Sequence, residues 1–277
     1  MFAGMTRKRR LCMLVGLILV LCAEIAALAA VLMPEEGPAN KLQKDGELVV
    51  DSSHSAEGYI LVKVNKKTNK RLKVRISADG NDLNYDLNSD GNYEVFPLQF
   101  GRVNYTVRIF RNVEGKKYAQ AGQVNVSPRE MEDELRCFLY PNQYVNYTEE
   151  TECVKIAGKL CKDITEQAKI YKTVCSYVVS NFAYDYIKSV TVKAGQLPDI
   201  DYCWKNKMGI CQDLSAMTCA MLRSQGVPAR LMIGVLGSGT PHAWVVAVVD
   251  GKEVFFDPTA ELESGSKKHT YTTERWY

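Results

Sequence analysis

The sequence predicts an all-β region that is followed by a region of helices and a closing β-hairpin. In residues 45–128, apolar and polar residues alternate with a period of two, which is typical of strands with one buried face. After Pro128 the apolar residues recur at helical spacing instead. Asp250-Gly251, a strong two-residue turn signal, then separates two apolar runs. A length of 277 residues accommodates two such regions.

Composition and charge exclude two broad classes of protein. With 46% hydrophobic and 24% charged residues, the chain has a globular composition, which excludes wholesale disorder. Residues 1–29 contain four basic residues and a single acid, Glu24, so 31 basic and 31 acidic side chains follow them. A body of zero net charge has no bulk field to concentrate nucleic acid, so nucleic-acid binding is not expected.

The first 29 residues are predicted to export the rest of the chain. A basic TRKRR precedes the apolar LCMLVGLILVLC, and Ala27-Leu28-Ala29 fits the small-residue pattern of a signal-peptidase site. Two alternatives stay open. Leu11 to Met33, with only Glu24 charged, is long enough for an uncleaved membrane anchor, and Cys22 is a weaker candidate for lipid attachment. Each alternative predicts a secreted or extracytoplasmic protein, with or without N-terminal membrane anchoring.

The next two segments are interpreted as a linker and a structural domain. Residues 30–44 are rich in proline, glycine and charge, which predicts a linker. Residues 45–128 predict a small Ig-like β-sandwich. Its turns are marked by the pairs Asp79-Gly80, Asp90-Gly91 and Glu114-Gly115. No set of its residues forms a candidate catalytic site, so its expected role is spacing or adhesion. His54 is expected to be a solvated loop histidine.

Residues 129–277 are predicted to begin with two helices. The first is short and is expected at about 149–161. Before the second, Asp163 and Glu166 resemble a capping box. Apolar residues then follow at helical spacing: Ala168, Tyr171, Val174, Cys175, Val178 and Phe182.

The cysteines are interpreted mainly as packing residues. Seven of the nine lie beyond residue 29, an odd number, so at least one is expected to be unpaired. Most of the seven fall on apolar helix faces, where cysteine is usually a small buried hydrophobe. Disulfides are compatible with export, and the sequence leaves their pairing open.

Cys211 differs from the other cysteines because it is predicted to begin a helix. Gly226 and Pro228 follow the end of that helix in the usual order. The first turn of a helix has unpaired N–H groups and the positive end of the dipole, which favour an anion. A thiolate, the nucleophilic form of cysteine, is therefore favoured at this position. The alternative is a cysteine that merely packs at a helix start.

Two downstream residues join Cys211 in one candidate mechanism. Counting outward from the turn at Asp250-Gly251 places Trp244 opposite Asp257, with His242 two residues earlier on the same face. A slip of one residue in the turn would separate the two faces. In this hypothesis Cys211 is the nucleophile, His242 is its general base, and Asp257 orients and polarises the imidazole.

The motifs around these three residues resemble the core of the transglutaminase-like superfamily. Within residues 209–259 they are Gly209-Ile210-Cys211, the run AMLRSQGVPARL, His242-Ala243-Trp244 and Asp257-Pro258-Thr259. A wider stretch is similar to exported bacterial members, in which a small β-sandwich precedes the core. It runs from FLYPNQYV (138–145) through NFAYDY (181–186) to LPDIDYC (197–203).

The resemblance implies an α+β fold with a papain-like core in residues 129–277, in which the cysteine helix packs on an antiparallel sheet. It also implies that the Cys–His–Asp triad of the family lies at Cys211, His242 and Asp257. The expected function is an exported thiol acyl-transfer enzyme that acts on glutamine carboxamides or peptide bonds through a thioester. Transglutaminase, protease and deamidase activities stay open. The alternative is a catalytically idle binding or scaffold module of the cell envelope that kept the fold.

The oxyanion of such a reaction would be bound partly by the backbone N–H of Cys211. A side-chain donor is expected by analogy with papain-like enzymes. Trp204, Tyr184 and Tyr186 are candidates, although each is more typical of a packing aromatic, and the choice stays open.

No metal or cofactor is expected. The three histidines are scattered, and the cysteines lack metal-ligand spacing. The acids and amides at 81–92 are interpreted as turn formers and not as calcium ligands. The expected partners are protein or peptide substrates, and the predicted export makes cell-wall peptides and secreted proteins the candidates.

Overall fold

The computed structural model describes residues 31–263 and 269–277. In these residues the fold is α+β, with two antiparallel sheets followed by helices and a third antiparallel sheet. The predicted signal peptide or anchor at 1–29 lies outside the described residues. Among the helices of the described ranges, none has the length and apolar character needed to cross a membrane.

The N-terminal region consists of two four-stranded sheets around one apolar core. Their strand orders are β1-β2-β3-β6 and β5-β4-β7-β8. The strands are β1 (Leu42–Asp45), β2 (Leu48–Asp51), β3 (Tyr59–Val64), β4 (Leu72–Ala78), β5 (Asn81–Leu87), β6 (Glu94–Pro97), β7 (Tyr105–Glu114) and β8 (Lys117–Val126). Alternate residues of β4, β5 and the first half of β7 are buried, as the period of two predicts. The predicted all-β region is therefore confirmed.

The predicted linker at 30–44 is too long by three residues. Residues 42–44 belong to β1, which pairs antiparallel with β2 from Leu42 opposite Asp51 onward. The turn between the two strands contains Gly46, whose φ of +56° favours glycine. The proline- and charge-rich pattern therefore continues into an edge strand, where charged side chains are frequent.

The prediction that His54 is solvated is wrong. Its side chain is only 23% exposed, and its Nδ1 lies 2.8 Å from Oε1 of Glu57. Its ring stacks on Tyr59 at 5.1 Å. Glu57 also accepts hydrogen bonds from Tyr140 and Arg136, which follow the sandwich in the chain. His54 is thus part of a half-buried polar cluster that ties the sandwich to the following segment.

The second region packs six helices around a third sheet of order β13-β12-β11-β14. The helices are α1 (Glu152–Leu160), α2 (Gln167–Asn181), α3 (Tyr186–Thr191), α4 (Ile200–Asn206), α5 (Cys211–Arg223) and α6 (Pro258–Leu262). The strands are β11 (Ala229–Leu236), β12 (Pro241–Val249), β13 (Lys252–Phe256) and β14 (Tyr271–Trp276), together with a short parallel pair of β9 (Ala183–Tyr184) and β10 (Met208–Gly209). Every residue of α5 from Asp213 to Arg223 is buried, and the helix packs on β11 and β12. The implied cysteine helix on an antiparallel sheet is thus present.

The capping box predicted at Asp163 and Glu166 is absent. The helix α2 begins at Gln167, and Glu166 is its N-cap, without a side-chain capping bond. The carboxylate of Glu166 instead pairs with Lys169 at 2.7 Å. The prediction that Glu166 lies at the start of the helix is therefore correct, but Glu166 is the N-cap itself and not the third helical residue.

The cysteines of residues 31–263 are all unpaired, as the odd number requires of at least one. Six of them are buried and Cys211 is half-buried. Burial raises the pKa of the buried thiols, for example that of Cys219 to about 12. The six are therefore inert packing residues at neutral pH, and Cys211 is the accessible thiol of the described chain.

Candidate active site

Cys211 is the first residue of α5, and a buried carboxylate sets its position. Asp213, two residues on and fully buried, accepts hydrogen bonds from the N–H groups of Ile210 at 3.1 Å and Asp199 at 2.9 Å. Its Oδ2 also lies 2.8 Å from the ammonium of Lys188 on α3. The carboxylate of Asp213 thus links α3, the start of α4 and the start of α5 close to Cys211 in the chain.

Gly209, two residues before Cys211, leaves no space for a side chain. A Cβ at this position would lie 2.8 Å from Sγ of Cys203 and 2.9 Å from Cβ of Asp213. We expect Gly209→Ala to lower the free energy of unfolding by about 1–3 kcal/mol, because overpacking forces backbone shifts, and to lower the reactivity of Cys211. Urea unfolding and thiol alkylation measure the two effects.

Gly158→Ala is the matched control for that substitution. Gly158 lies within α1, and a Cβ there meets nothing within 4 Å. We expect it to leave alkylation unchanged and to stabilise α1 slightly, by about 0.5–1 kcal/mol. Equal losses of stability in the two variants would contradict the steric explanation.

The hairpin β12–β13 places His242 beside Asp257. Its turn at Asp250 and Gly251 has φ values of +49° and +76°, as a two-residue turn with both central residues at positive φ requires. Val249 pairs with Lys252, so the predicted register is confirmed. The Nε2 atom of His242 lies 2.8 Å from Oδ2 of Asp257.

Asp257 is buried and its carboxylate is fully engaged. It is the N-cap of α6, and its Oδ1 accepts hydrogen bonds from the N–H groups of Thr259 at 3.0 Å and Ala260 at 3.2 Å. Its Oδ2 pairs with His242 and also accepts a hydrogen bond from the hydroxyl of Tyr271 at 2.8 Å. Burial raises the pKa of Asp257, but the interaction with His242 and the other donors outweigh it and hold the pKa below its usual value. The group is therefore a carboxylate at neutral pH.

His242 carries a strongly raised pKa. Burial of the ring lowers it, but hydrogen bonds with Asp257 and Cys211, together with the negative charge on these partners, raise the pKa to about 9. The imidazole is thus protonated at neutral pH. Because Nε2 is bound to Asp257, Nδ1 is the nitrogen left to interact with the sulfur of Cys211.

The structure places Cys211 at the start of α5, His242 at the start of β12 and Asp257 just after β13. Asp257 pairs with His242, and Cys211 interacts electrostatically with the same imidazole. Of the three aromatic candidates for an oxyanion donor, Tyr184 is the one that interacts electrostatically with Cys211. Burial raises its pKa, and the negative charge of Cys211 raises it further. Trp204 packs instead among Phe182, Tyr177 and Lys207, and Tyr186 is 66% exposed.

Three residues of this site were not predicted from the sequence. Tyr271 lies beyond the predicted hairpin, yet β14 pairs with β11 and brings its hydroxyl to Asp257. Asp213 and Lys188 form a buried ion pair under the start of α5. A carboxylate at the third residue of a helix is the one sequence signal that pointed to such a role, because it often binds the N-cap N–H. His269, in contrast, is exposed.

The comparisons with known proteins assign part of the chain to a family. Residues 154–258 match the family model of the Transglutaminase-like superfamily. This part of the chain belongs to the transglutaminase-like superfamily. The matched range contains Cys211, His242 and Asp257. No curated protein matches the chain significantly.

Several solved structures resemble the chain at low identity. One is described as a putative cysteine protease from Cytophaga hutchinsonii, with 13% identity, a TM-score of 0.40, and coverage of 85% of this chain and 90% of that one. Another is the periplasmic domain of TgpA from Pseudomonas aeruginosa, with 15% identity, a TM-score of 0.36, and coverage of 83% and 76%. A third is a putative protease from Parabacteroides distasonis, with 15% identity and a TM-score of 0.34. The match covers 68% of this chain and 37% of that one.

Proposed function

We propose that this protein is a thiol acyl-transfer enzyme that acts on glutamine carboxamides or peptide bonds of protein or peptide substrates. The observation that carries the proposal is the 2.8 Å pair of His242 and Asp257, whose imidazole interacts with a cysteine at a helix start. The membership of residues 154–258 in the transglutaminase-like superfamily supports it. The intact set of three side chains favours an enzyme over an idle binding or scaffold module.

In the proposed reaction, Sγ of Cys211 attacks the carbonyl carbon of the substrate and forms a tetrahedral oxyanion. The N–H of Cys211, in the first turn of α5, is available as one oxyanion donor. The oxyanion collapses, the C–N bond breaks, and protonated His242 gives its Nδ1 proton to the leaving ammonia or amine. The product is a thioester on Cys211. The pKa of about 9 makes His242 a proton donor first and a base only in the second half-reaction.

In the second half-reaction, neutral His242 takes a proton from water or from an amine. The oxygen or nitrogen attacks the thioester carbonyl, the C–S bond breaks, and the sulfur of Cys211 is restored. Water gives hydrolysis, and a lysine-type amine gives a cross-link. The acceptor depends on how well the site excludes water and holds an amine. Asp257 stays ionised throughout and keeps Nε2 occupied.

The location proposed for this chemistry is outside the cytoplasm. It rests on the signal-peptide pattern of residues 1–29. Cell-wall peptides and secreted proteins are therefore the proposed substrates, and membrane anchoring through the N-terminal segment stays an open variant. Cell fractionation of a tagged chain distinguishes a released protein from an anchored one.

The deciding experiment incubates the purified protein with a labelled primary amine and a glutamine-bearing protein. Incorporated label reports cross-linking, ammonia released when the amine is left out reports deamidation, and released peptides report proteolysis. We expect at least one product, and we expect Cys211→Ala to abolish it. Cys161→Ala, which removes a buried thiol at the C-cap of α1, is the matched control and should keep the activity.

Thiol alkylation tests the same site without a substrate. Because protonated His242 pairs with the sulfur, we expect iodoacetamide to modify Cys211 at an appreciable rate well below pH 8. Mass spectrometry of the Cys211 peptide measures the rate. The proposed function fails if none of the three products forms.

A further inference from the structure

Tyr271 contacts the candidate active site through one atom of Asp257. Its hydroxyl donates a hydrogen bond of 2.8 Å to Oδ2, the oxygen that also pairs with Nε2 of His242. The tyrosine ring is held by Trp244 at 5.0 Å and Phe255 at 4.9 Å. Its orientation is therefore set by packing on both sides, and the hydroxyl has little freedom to leave the carboxylate.

The strand that carries Tyr271 is anchored at its other end in the β-sandwich. Tyr277, just beyond β14, is 1% exposed, lies in the sandwich core and stacks on Tyr144 at 3.6 Å. The side chain of Gln99 donates to the carbonyl oxygen of Trp276. The strand β14 thus joins the sandwich at one end to the carboxylate of Asp257 at the other.

We propose that Tyr271 is a positioning residue of the thiol site, and that its hydroxyl sets the pH range over which His242 supports Cys211. This inference rests on the proposed function. The hydroxyl holds Oδ2 in place and takes up part of its negative charge. Without that hydrogen bond, Oδ2 shares its charge with His242 alone and holds the imidazolium more strongly.

The direction of the pH effect follows from the groups around Asp257. These are His242 from β12, the N–H groups at the start of α6, Tyr271 from β14, and Cys211 behind the imidazole. Among the described residues, His269 also lies near Tyr271, with ring centroids 6.3 Å apart. Loss of the hydroxyl makes the imidazole a stronger base. The alkaline limb of a pH profile, which follows the loss of the imidazolium proton, should therefore move to higher pH.

The test compares Tyr271→Phe with the wild-type protein. We expect kcat for the amine or hydrolysis reaction to fall about tenfold with KM unchanged, because the group acts in the transition state and not in binding. We expect the alkaline limb of the pH profile to move up by about 0.5–1 unit, the order of one hydrogen bond to a charged group. The pH profile of Cys211 alkylation measures the shift without a substrate.

Two variants serve as matched controls. Tyr171→Phe removes the hydroxyl of a tyrosine on α2, which donates to the carbonyl oxygen of Phe255 on β13 at 3.0 Å. His269→Gln removes the neighbouring titratable ring. Both should keep the wild-type kcat and pH profile.

Replacement of Tyr271 by 3-fluorotyrosine completes the design, since its more acidic hydroxyl is a stronger donor. We expect it to keep the fold and to move the profile in the opposite direction, to lower pH. An unchanged profile in both Tyr271 variants overturns the inference, even if kcat falls, because packing alone would then explain the loss. A wild-type protein that forms no product but shows these opposite alkylation shifts would overturn the proposed function and leave the positioning role standing.

Discussion

We expect Asp257→Asn to reduce turnover about 10³- to 10⁴-fold, the order seen when the carboxylate of a catalytic triad becomes an amide. The carboxamide oxygen can still cap α6 through Thr259 and Ala260. The amide carries no charge to hold an imidazolium, so the pKa of His242 should fall towards its ordinary value. Steady-state kinetics and the pH profile of Cys211 alkylation measure both consequences.

Asp185→Asn is the matched control for this substitution. Asp185 is also a buried N-cap aspartate, of α3, and its Oδ2 also accepts a tyrosine hydroxyl, that of Tyr202 at 2.7 Å. It differs in having no histidine partner. We expect its loss of turnover to stay below tenfold, and a comparable loss in the two variants would show that helix capping, and not the charge on Asp257, matters.

The same substitution should change how stability depends on pH. Because the pKa of His242 is about 9 in the folded state and about 6.5 when unfolded, the folded protein binds more protons between these values. The stabilisation from protonated His242 is therefore fully present below about pH 6.5 and is lost as the pH rises to 9. Denaturant unfolding across this window should show a decline in the wild-type protein and a flatter curve in Asp257→Asn.

The part of the site that was predictable from sequence is the part fixed by local turn chemistry. Asp250-Gly251 determines a two-residue turn, and the alternation of a strand then carries the register out to His242 and Asp257. The start of α5 at Cys211 was predictable for a similar reason, since Gly226 and Pro228 mark its other end. These inferences need no knowledge of distant contacts.

The missed residues depend on contacts between distant segments. Residues 272–275 are all exposed, so β14 has no alternating apolar face, and its pairing with β11 defines it. His54 is covered by Arg136 and Tyr140, from beyond the sandwich, through their bonds to Glu57. Neither neighbourhood leaves a periodic signal in the sequence. Polar residues that are buried by distant segments are therefore the ones that sequence patterns classify as solvated.

The connection between the two regions depends on one buried cation, and Arg223→Met should show its importance. Arg223 is 1% exposed and ends α5. Its guanidinium donates to the carbonyl oxygens of Ala229 at 2.8 Å, Tyr140 at 2.7 Å and Tyr277 at 2.8 Å. These groups belong to β11, to the segment after the sandwich, and to the end of β14, so a single side chain ties three parts of the chain to the cysteine helix.

Methionine fills a similar volume but leaves three buried carbonyl groups without donors. Each unpaired carbonyl group costs about 1–3 kcal/mol. Part of this cost is offset, because the variant no longer buries a charged guanidinium group. We expect a net loss of about 3–5 kcal/mol in the free energy of unfolding, measured by urea denaturation at neutral pH. Arg75→Met, at an exposed arginine that binds Asn84 on the neighbouring strand, should change it by less than about 0.5 kcal/mol. A loss below about 1 kcal/mol in Arg223→Met would mean that water replaces the guanidinium, and that β14 is held mainly by its pairing with β11 and by the stack of Tyr277 on Tyr144.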